Sequence, residues 1–244
     1  AHFLEIHLDR IVQDLRIDLR DQLAVQQAIV KAQPDFLFHL AAQSLVRQSY
    51  ADPVATYTTN MIGTLHVLEA LRELDKPCVA VLITSDKCYD NVEWVWGYRE
   101  ADRLGGPDPY SASKATAELV IRSHVRSFLS KEGSIRIGIG RAGNVIGGGD
   151  WAADGIVPDC VRAASKSETV FIRNPKATRP WQHVLEPLSG YLNLALALSQ
   201  DIHLHGEPFN FGPPAEQNHS VGDLVSQMSQ HWDQVSWQDI SDKE

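Results

Sequence analysis

Short, nearly uninterrupted apolar segments alternate with amphipathic segments along most of this chain. The apolar segments at 36–41, 78–84 and 134–140 are predicted strands, and a strand that is apolar on both faces belongs inside a parallel sheet. Segments at 21–32, 60–74 and 110–129 carry apolar residues at helical spacing. This alternation requires right-handed crossovers, so the sequence predicts an α/β fold with a doubly wound parallel sheet.

Residues with reactive polar side chains lie at the end of the second predicted strand and at the start of the helix that follows. Thr84, Asp86 and Lys87 are placed where open α/β sheets bind ligands. Tyr110 and Lys114 are one helical turn apart and share a face. An ammonium beside a phenol lowers the phenol's pKa from about 10, which makes it usable as a base near neutral pH. On an arbitrary helix this pair would be a solvated face, but here the five residues predict an active site.

Composition excludes several classes of function. A net charge of -9 and a pI near 5.5 disfavour nucleic-acid or anionic-membrane binding. No apolar run approaches the roughly 18 residues needed to span a bilayer, and the chain does not begin like a signal peptide. Three scattered cysteines, Cys78, Cys88 and Cys160, indicate reduced thiols in a cytoplasmic protein. The histidines show no ligand spacing, so no metal site is predicted.

The first 60 residues contain no glycine-rich turn of the GxGxxG type, although a dinucleotide-binding sheet normally starts with one. The chain also lacks an initiating methionine and ends in a polar stretch at 236–244. We interpret it as an internal fragment of a longer protein, with the first strand and turn missing. The alternative is a complete domain that never had the turn.

Seven short segments give a more specific indication. They are IDLRD at 17–21, FHLAAQ at 38–43, TNMIGT at 59–64, TSDKCYDN at 84–91, YSASK at 110–114, RAGNVIGGGDW at 141–151 and RPWQHV at 179–184. Any one of them is weak, and Tyr-x-x-x-Lys alone is common by chance. All seven in this order resemble the extended short-chain dehydrogenase/reductase family, in particular its NAD-dependent sugar-nucleotide epimerases and dehydratases.

The resemblance implies a Rossmann-type NAD-binding domain at 1–145. Residues 146–244 would be a small substrate-binding region, interleaved with the last sheet elements and truncated at its C-terminus. The implied cofactor contacts are Asp18, Leu19, Leu40, Ala41, Ala42, Gln43, Tyr110 and Lys114. Asp18 could instead cap the helix at 21–32, and the small residues at 40–42 could simply pack. Asn60 could be a plain helix N-cap or could have a structural role beside the cofactor.

The resemblance also implies a reaction. Tyr110, stabilised as a phenolate by Lys114, takes the proton of a sugar 4-hydroxyl while hydride passes from carbon 4 to NAD. The 4-keto group acidifies carbon 5, water is lost between carbons 5 and 6, and the hydride returns to carbon 6. Asp86 is the candidate acid for the leaving hydroxyl. Lys87, where dTDP-glucose relatives have Glu, is a candidate base or proton shuttle, or else an ion-pair partner of Asp86.

The implied substrate is CDP-glucose, on the basis of the 84–91 segment and the tryptophan loop after it. Asn144, Arg173 and Arg179 are candidate substrate contacts, with the arginines suited to a diphosphate. Either arginine could instead be part of a surface ion pair. Trp94, Trp96 and Tyr98 in the loop could wall the pocket or form an aromatic core.

Three other functions stay open at this stage. A 4-epimerase would share Tyr110 and Lys114 but would not need Asp86 and Lys87. A redox-silent NAD-binding regulator usually loses the Tyr or the Lys, and an inactive fragment would lack the phosphate-binding turn. Family members commonly pair through the helices at 60–74 and 110–129, so a homodimer or homotetramer is expected.

Overall fold

The computed structural model describes residues 2–130 and 133–241. The strands are β1 (Phe36–His39), β2 (Cys78–Ile83), β3 (Ile135–Ala142), β4 (Val145–Ile146), β5 (Thr169–Ile172), β6 (Thr178–Arg179), β7 (Gln182–His183), β8 (Pro208–Phe211), β9 (His219–Ser220) and β10 (Ser236–Asp239). The α-helices are α1 (His2–Glu5), α2 (Gln22–Ala32), α3 (Val46–Ala51), α4 (Pro53–Tyr57), α5 (Gly63–Arg72), α6 (Pro109–Phe128), α7 (Ile156–Ala164), α8 (Leu185–Gln200) and α9 (Val221–His231).

The described residues form two compact units. The first contains the described residues up to Ala142 together with Pro187–Phe211, and the second contains Gly143–Glu186 and the described residues from Gly212 onward. The predicted division at 145/146 lies close to the observed one at 142/143. Most of α8 and all of β8 belong to the first unit. Along the sequence, the first unit is therefore interrupted by Gly143–Glu186 of the second unit.

The first unit is built on a parallel sheet with the strand order β1-β2-β3-β8. Every neighbouring pair of strands is parallel. The longest pairing joins β2 and β3, from Cys78 opposite Ile135 to Ile83 opposite Gly140. Strands of this kind need covering on both faces. The predicted doubly wound parallel sheet is therefore confirmed.

Helices cover the two faces of the sheet. On one face, Leu68 of α5 and Ile121 of α6 pack with Ile137 of β3 in a cluster that also includes α2. On the other face, α8 packs Leu194 and Leu198 on β2. Gly138 permits this approach, because a Cβ there would lie 2.5 Å from a methyl carbon of Leu198.

Local sequence signals start the helices. Asp21 caps α2 by accepting a hydrogen bond from the backbone N–H of Ala24 at 3.0 Å. Asp108 caps α6 in the same way, with Pro109 in the first turn. The alternative that Asp18 caps α2 is wrong, since its carboxylate pairs with Arg20 instead.

The second unit has its own core. Strands β5 and β10 pair in parallel, and Ile172 packs with Cys160 of α7 and Val225 of α9. Short pairs join β4 to β7 and β6 to β9.

Three further findings concern membrane spans, metal sites and cysteines in the described residues. No helix within residues 2–130 and 133–241 is long and apolar enough to cross a membrane. The same residues contain no group of three or more His, Cys, Asp or Glu placed to hold a metal ion. All three cysteines are free and buried.

Candidate active site

The carboxyl end of β2 continues directly into a polar turn. After Thr84 and Ser85, residues Asp86–Cys88 form a single 3-10 turn. The Ser85 hydroxyl donates to Asp86 Oδ1 at 3.0 Å and accepts from the backbone N–H of Lys87 at 3.2 Å. Ser85 is buried, whereas Asp86 and Lys87 are partly exposed. The turn thus presents a carboxylate and an ammonium at the edge of the sheet where ligands bind in open α/β folds.

Tyr110 lies at the first turn of α6 and faces this turn. The Ser85 side chain is close enough to its phenol to lower the phenol's pKa. Its backbone N–H donates to Ser49 Oγ at 3.1 Å, which ties the start of α6 to α3. Only 8% of Tyr110 is exposed. Burial raises the pKa of the phenol above its usual value and the charge of Asp86 adds to this effect, while the Ser85 side chain opposes it.

Lys114 is buried one turn further along α6. Its Nζ donates to the backbone carbonyl of Ile83 at 3.2 Å. Burial lowers the pKa of this ammonium to about 8. The predicted net lowering of the Tyr110 pKa is wrong for this structure, because the effect of burying the phenol dominates. An ammonium has three N–H donors, and the hydrogen bond to Ile83 uses one of them.

Thr84 and Ser85 point to different partners. The Thr84 hydroxyl donates to Glu118 Oε1 at 2.7 Å, inside the first unit. Successive residues of an extended segment face opposite sides, so only one of two adjacent hydroxyls can face Tyr110. That residue is Ser85, whereas the sequence predicts Thr84 as the hydroxyl of the candidate site. Two adjacent hydroxyls at a strand end were the available signal, but the sequence does not say which one faces the helix.

Glu118 organises a second set of contacts behind the site. Its carboxylate accepts from Arg141 Nε at 2.6 Å and from Arg141 Nη2, and both side chains are fully buried. Arg141 Nη1 donates to the hydroxyl of Tyr89 at 2.6 Å. Tyr89 in turn donates to Asn210 Oδ1 at 2.6 Å. These bonds connect α6 with β3, β8 and the segment that follows β2.

Asn60 joins the loop after β1 to α6. Its Oδ1 accepts from the backbone N–H of Gln43 at 2.8 Å, and its Nδ2 donates to the Gln43 carbonyl and to Ser113 Oγ, each at 2.9 Å. Asn60 lies inside a π-helical turn, Thr58–Ile62, that runs into α5. The N-cap alternative for Asn60 is therefore wrong. Its side chain fixes Gln43 next to the helix that carries Tyr110 and Lys114.

The other predicted cofactor contacts lie at the same edge of the first unit. The Asp18 carboxylate is exposed and pairs with Arg20, and hydrogen bonds from Arg20 lower its pKa to about 2. Leu19 packs on α5 at Gly63, where a Cβ would lie 2.8 Å from the Leu19 Cβ. The loop after β1 begins with exposed Leu40 and Ala41 and continues with half-buried Ala42 and Gln43.

The aromatic loop after the polar turn forms a short stack. Tyr98 stacks on Tyr89 with ring centroids 5.0 Å apart, and Trp94 lies 5.5 Å from Tyr98. Trp96 is 71% exposed, so it is not a core residue. Tyr98 is connected to the buried network through Tyr89, while Trp94 and Trp96 present apolar surface.

The predicted substrate contacts all belong to the second unit. The backbone carbonyl of Asn144 accepts from the backbone N–H of Gln182 at 3.0 Å, so the side chain of Asn144 takes no part in this hydrogen bond. Arg173 follows β5 and is exposed. Arg179 lies in β6, is exposed and donates from Nη1 to the carbonyl of Thr178 at 2.7 Å.

The chain is similar to several known proteins. Residues 4–244 match the model of a family described as GDP-mannose 4,6 dehydratase. A CDP-glucose 4,6-dehydratase of Salmonella typhimurium is 46% identical over 237 residues, which make up 95% of this chain and 66% of that protein. A UDP-glucose 4-epimerase of Mycoplasma pneumoniae is 23% identical over 206 residues, or 80% of this chain and 61% of that protein. The chain spans less than two thirds of the length of both relatives.

A solved structure has the same fold. A dTDP-glucose 4,6-dehydratase double mutant from Streptomyces venezuelae, with NAD and DAU bound, superposes with a TM-score of 0.80. The match is 21% identical and covers 98% of this chain and 70% of that one.

Proposed function

Because the chain belongs to the GDP-mannose 4,6-dehydratase family, we propose that it catalyses the NAD-dependent dehydration of a sugar nucleotide, CDP-glucose, to CDP-4-dehydro-6-deoxyglucose. The observation that carries the proposal is the position of Tyr110 beside Asp86 and Ser85 at the carboxyl end of β2, where the Ser85 hydroxyl donates to Asp86. Oxidation of carbon 4 needs the tyrosine as the base that takes the hydroxyl proton. A carboxyl group beside the same tyrosine supplies the acid that loss of water requires.

The residues at the edge of the sheet fit a dinucleotide. An exposed carboxylate at Asp18 suits ribose hydroxyls, exposed Leu40 and Ala41 offer an apolar surface, and Lys114 has N–H groups beyond the one used by Ile83. The residues that would hold NAD are Asp18, Leu19, Leu40, Ala41, Ala42, Gln43, Tyr110 and Lys114. When bound, NAD accepts a hydride from carbon 4 of the sugar and returns it to carbon 6.

The chain's own side chains handle the protons. Tyr110 takes the proton of the 4-hydroxyl, and Lys114 favours the ionised phenol by its charge. Asp86 donates a proton to the 6-hydroxyl as it leaves as water. Lys87 removes the proton from carbon 5, which the 4-keto group has made acidic, and returns it to carbon 5 at the end. Thr84 is assigned a supporting role, because its hydroxyl is bonded to Glu118.

The choice of CDP-glucose rests on the 46% identity to a CDP-glucose 4,6-dehydratase and on the Asp86-Lys87 pair. Within the second unit, Asn144, Arg173 and Arg179 are the proposed contacts to the nucleotide. Two exposed guanidinium groups suit a diphosphate, which accepts paired N–H donors.

We propose the cytoplasm as the location and a homodimer or homotetramer as the assembly. The buried free thiols are compatible with a reducing compartment. Leu119 and Phe128 on α6 are more than half exposed, and an apolar helix surface of this kind suits a subunit contact.

Incubation of the protein with NAD and CDP-glucose tritiated at carbon 4 tests the proposed function. A dehydratase moves the label to carbon 6 and yields a 4-keto-6-deoxy sugar, which is recognised by its ultraviolet absorbance in alkali. A 4-epimerase, the second candidate because of the similarity to a UDP-glucose 4-epimerase, keeps the label at carbon 4. Formation of the 4-epimer with the label still at carbon 4 and no keto product would therefore replace dehydration with epimerisation.

A further inference from the structure

We propose that His66 of α5 is a positioning residue for the adenosine half of the cofactor. It acts through the backbone of Leu19 and holds the turn that contains Asp18 and Leu19 in its binding position. This inference rests on the proposed function, because it takes the proposed NAD site as given and adds a residue on which binding there depends.

The turn at Asp18–Asp21 has no sheet or helix hydrogen bonds to place it. Residues 11–21 lie outside the helices and strands of the structure. The backbone N–H of Asp21 donates to the Asp18 carbonyl at 3.0 Å, and the guanidinium of Arg20 donates to the Asp18 carboxylate. These bonds shape the turn, but they join only its own residues. Contacts from more distant parts of the chain must therefore hold it against the first unit.

His66 provides such a contact from α5, 47 positions away from Leu19 in sequence. Its Nδ1 lies 2.8 Å from the carbonyl oxygen of Leu19. A carbonyl oxygen only accepts, so Nδ1 carries the proton and donates it. His66 is buried, and a hydrogen bond away from water is stronger than an exposed one.

Gly63 allows the turn to come this close to α5. A Cβ at Gly63 would lie 2.8 Å from the Leu19 Cβ and 3.5 Å from the Leu19 carbonyl oxygen. The first distance is well below a normal contact between two carbon atoms, and a Cβ cannot swing aside as the end of a long side chain can. The Leu19 side chain also packs against the core cluster that contains α5. The helix therefore holds Leu19 by one hydrogen bond and by close packing.

The residues held in this way are the proposed contacts to adenosine. Asp18 offers a carboxylate to the ribose hydroxyls, and Leu19 offers apolar surface to the adenine ring. Contacts of this kind tolerate a displacement of only about 0.5 Å. The nicotinamide half belongs beside Tyr110, where the hydride is transferred. Loss of the His66 contact should therefore weaken binding of the adenosine half and spare the nicotinamide half.

Three replacements of His66 test this role through the position of a single N–H group. The side-chain nitrogen of Asn can take nearly the place of the histidine Nδ1, that of Gln nearly the place of Nε2, and Leu has no donor. By calorimetry on the folded variants, we expect His66→Gln and His66→Leu to raise the Kd for NAD and for ADP about tenfold. His66→Asn should stay within about threefold of wild type. The Kd for nicotinamide mononucleotide should be unchanged in all three.

Gly63→Ala perturbs the same contact and leaves the His66 side chain in place. Alanine favours a helix more than glycine does, so α5 itself should not be weakened. The Kd for NAD and for ADP should nevertheless rise at least about tenfold, because Leu19 must move away from the new Cβ. Gly212→Ala is the matched control, since a Cβ there would meet nothing within 4 Å.

The outcomes separate this role from a general structural one. Equal losses of affinity for ADP and for nicotinamide mononucleotide would show a general loss of structure and would overturn the inference. A His66→Asn variant as weak as His66→Gln would overturn it too, as would wild-type affinity for ADP in His66→Leu or in Gly63→Ala. In each of these cases NAD binding by the wild type leaves the proposed function standing. If the wild type binds neither NAD nor ADP, the proposed function fails and the inference fails with it.

Discussion

The guanidinium of Arg141 makes two hydrogen bonds to the carboxylate of Glu118, and neither side chain is exposed to solvent. Glu118 lies one turn of α6 beyond Lys114, so this pair anchors the helix that carries the candidate base. Burying two charges is costly, and the pair is stable only because its members satisfy each other and further partners. Thr84 and Tyr89 provide two of those partners.

Loss of the Glu118 charge should destabilise the first unit strongly. Glu118→Gln leaves the Arg141 guanidinium buried without its counter-charge, which costs about 3–5 kcal/mol of the free energy of unfolding. The double variant with Arg141→Gln should lose clearly less than the sum of the two single variants. Urea unfolding followed by circular dichroism measures both. Asp35→Asn is the control, since the exposed pair of Asp35 with Lys76 is worth about 0–1 kcal/mol. Additive losses would contradict a coupled pair.

Loss of the Asn60 side chain should loosen the loop after β1. Asn60→Ala removes three hydrogen bonds, and two of these satisfy the backbone N–H and carbonyl of Gln43. We therefore expect the free energy of unfolding to fall by about 2–4 kcal/mol. Because Gln43 is also a proposed NAD contact, the Kd for NAD should rise by about tenfold or more, as calorimetry can measure. Asn193→Ala, on the exposed surface of α8, is the matched control and should change neither quantity. An unchanged NAD affinity in a folded Asn60 variant would separate this loop from the cofactor.

Much of the fold could be predicted because its signals are local. Asp21 and Asp108 precede helical patterns, Pro109 occupies a first turn, and the apolar runs of β2 and β3 are continuous. Each of these features acts through residues within a few positions along the chain. The spacing of Tyr110 and Lys114 is local in the same way, which is why the core of the candidate site could also be predicted.

The missed parts of the site depend on partners far apart in sequence. Thr84 meets Glu118, 34 positions later, and this contact leaves Ser85 to face Tyr110. The segment that contains Arg141 could be recognised, but its pairing with Glu118 arises only when β3 lies beside α6. The direction of the Tyr110 pKa shift was missed for a related reason. Burial is a property of the whole fold and outweighs a charge one helical turn away.

His39 should make the stability of the first unit depend on pH. Thr64 Oγ1 donates to the Asn60 carbonyl, so the His39 Nε2–H donates to Thr64 at 3.1 Å. Burial, assisted by the charge of Lys114, lowers the His39 pKa from 6.5 to about 4. The unfolded chain therefore binds a proton first, and stability that is complete above about pH 6.5 falls as the pH falls towards 4.

The expected loss from His39 is about 2 kcal/mol between pH 7 and pH 5, measured by urea unfolding at both values. His39→Gln should remove this part of the pH dependence. His203→Gln, in an exposed turn of the same unit, should leave it unchanged. An identical pH dependence in wild type and His39→Gln would show that the ring does not stay neutral.

Lys87 is the side chain whose chemical role most affects the proposed reaction. If it moves the carbon-5 proton, Lys87→Ala should reduce kcat by about 10²–10⁴-fold, the range of acid–base contributions, with little change in NAD affinity or unfolding. The half-reaction at carbon 4 should survive, so exchange of solvent deuterium into carbon 5 should fall far more than oxidation of the sugar. Lys76→Ala is the control, because Lys76 pairs with Asp35 just before β2, away from the polar turn that follows the strand. Turnover like that of the wild type in Lys87→Ala would remove Lys87 from the mechanism and return the carbon-5 proton to another group.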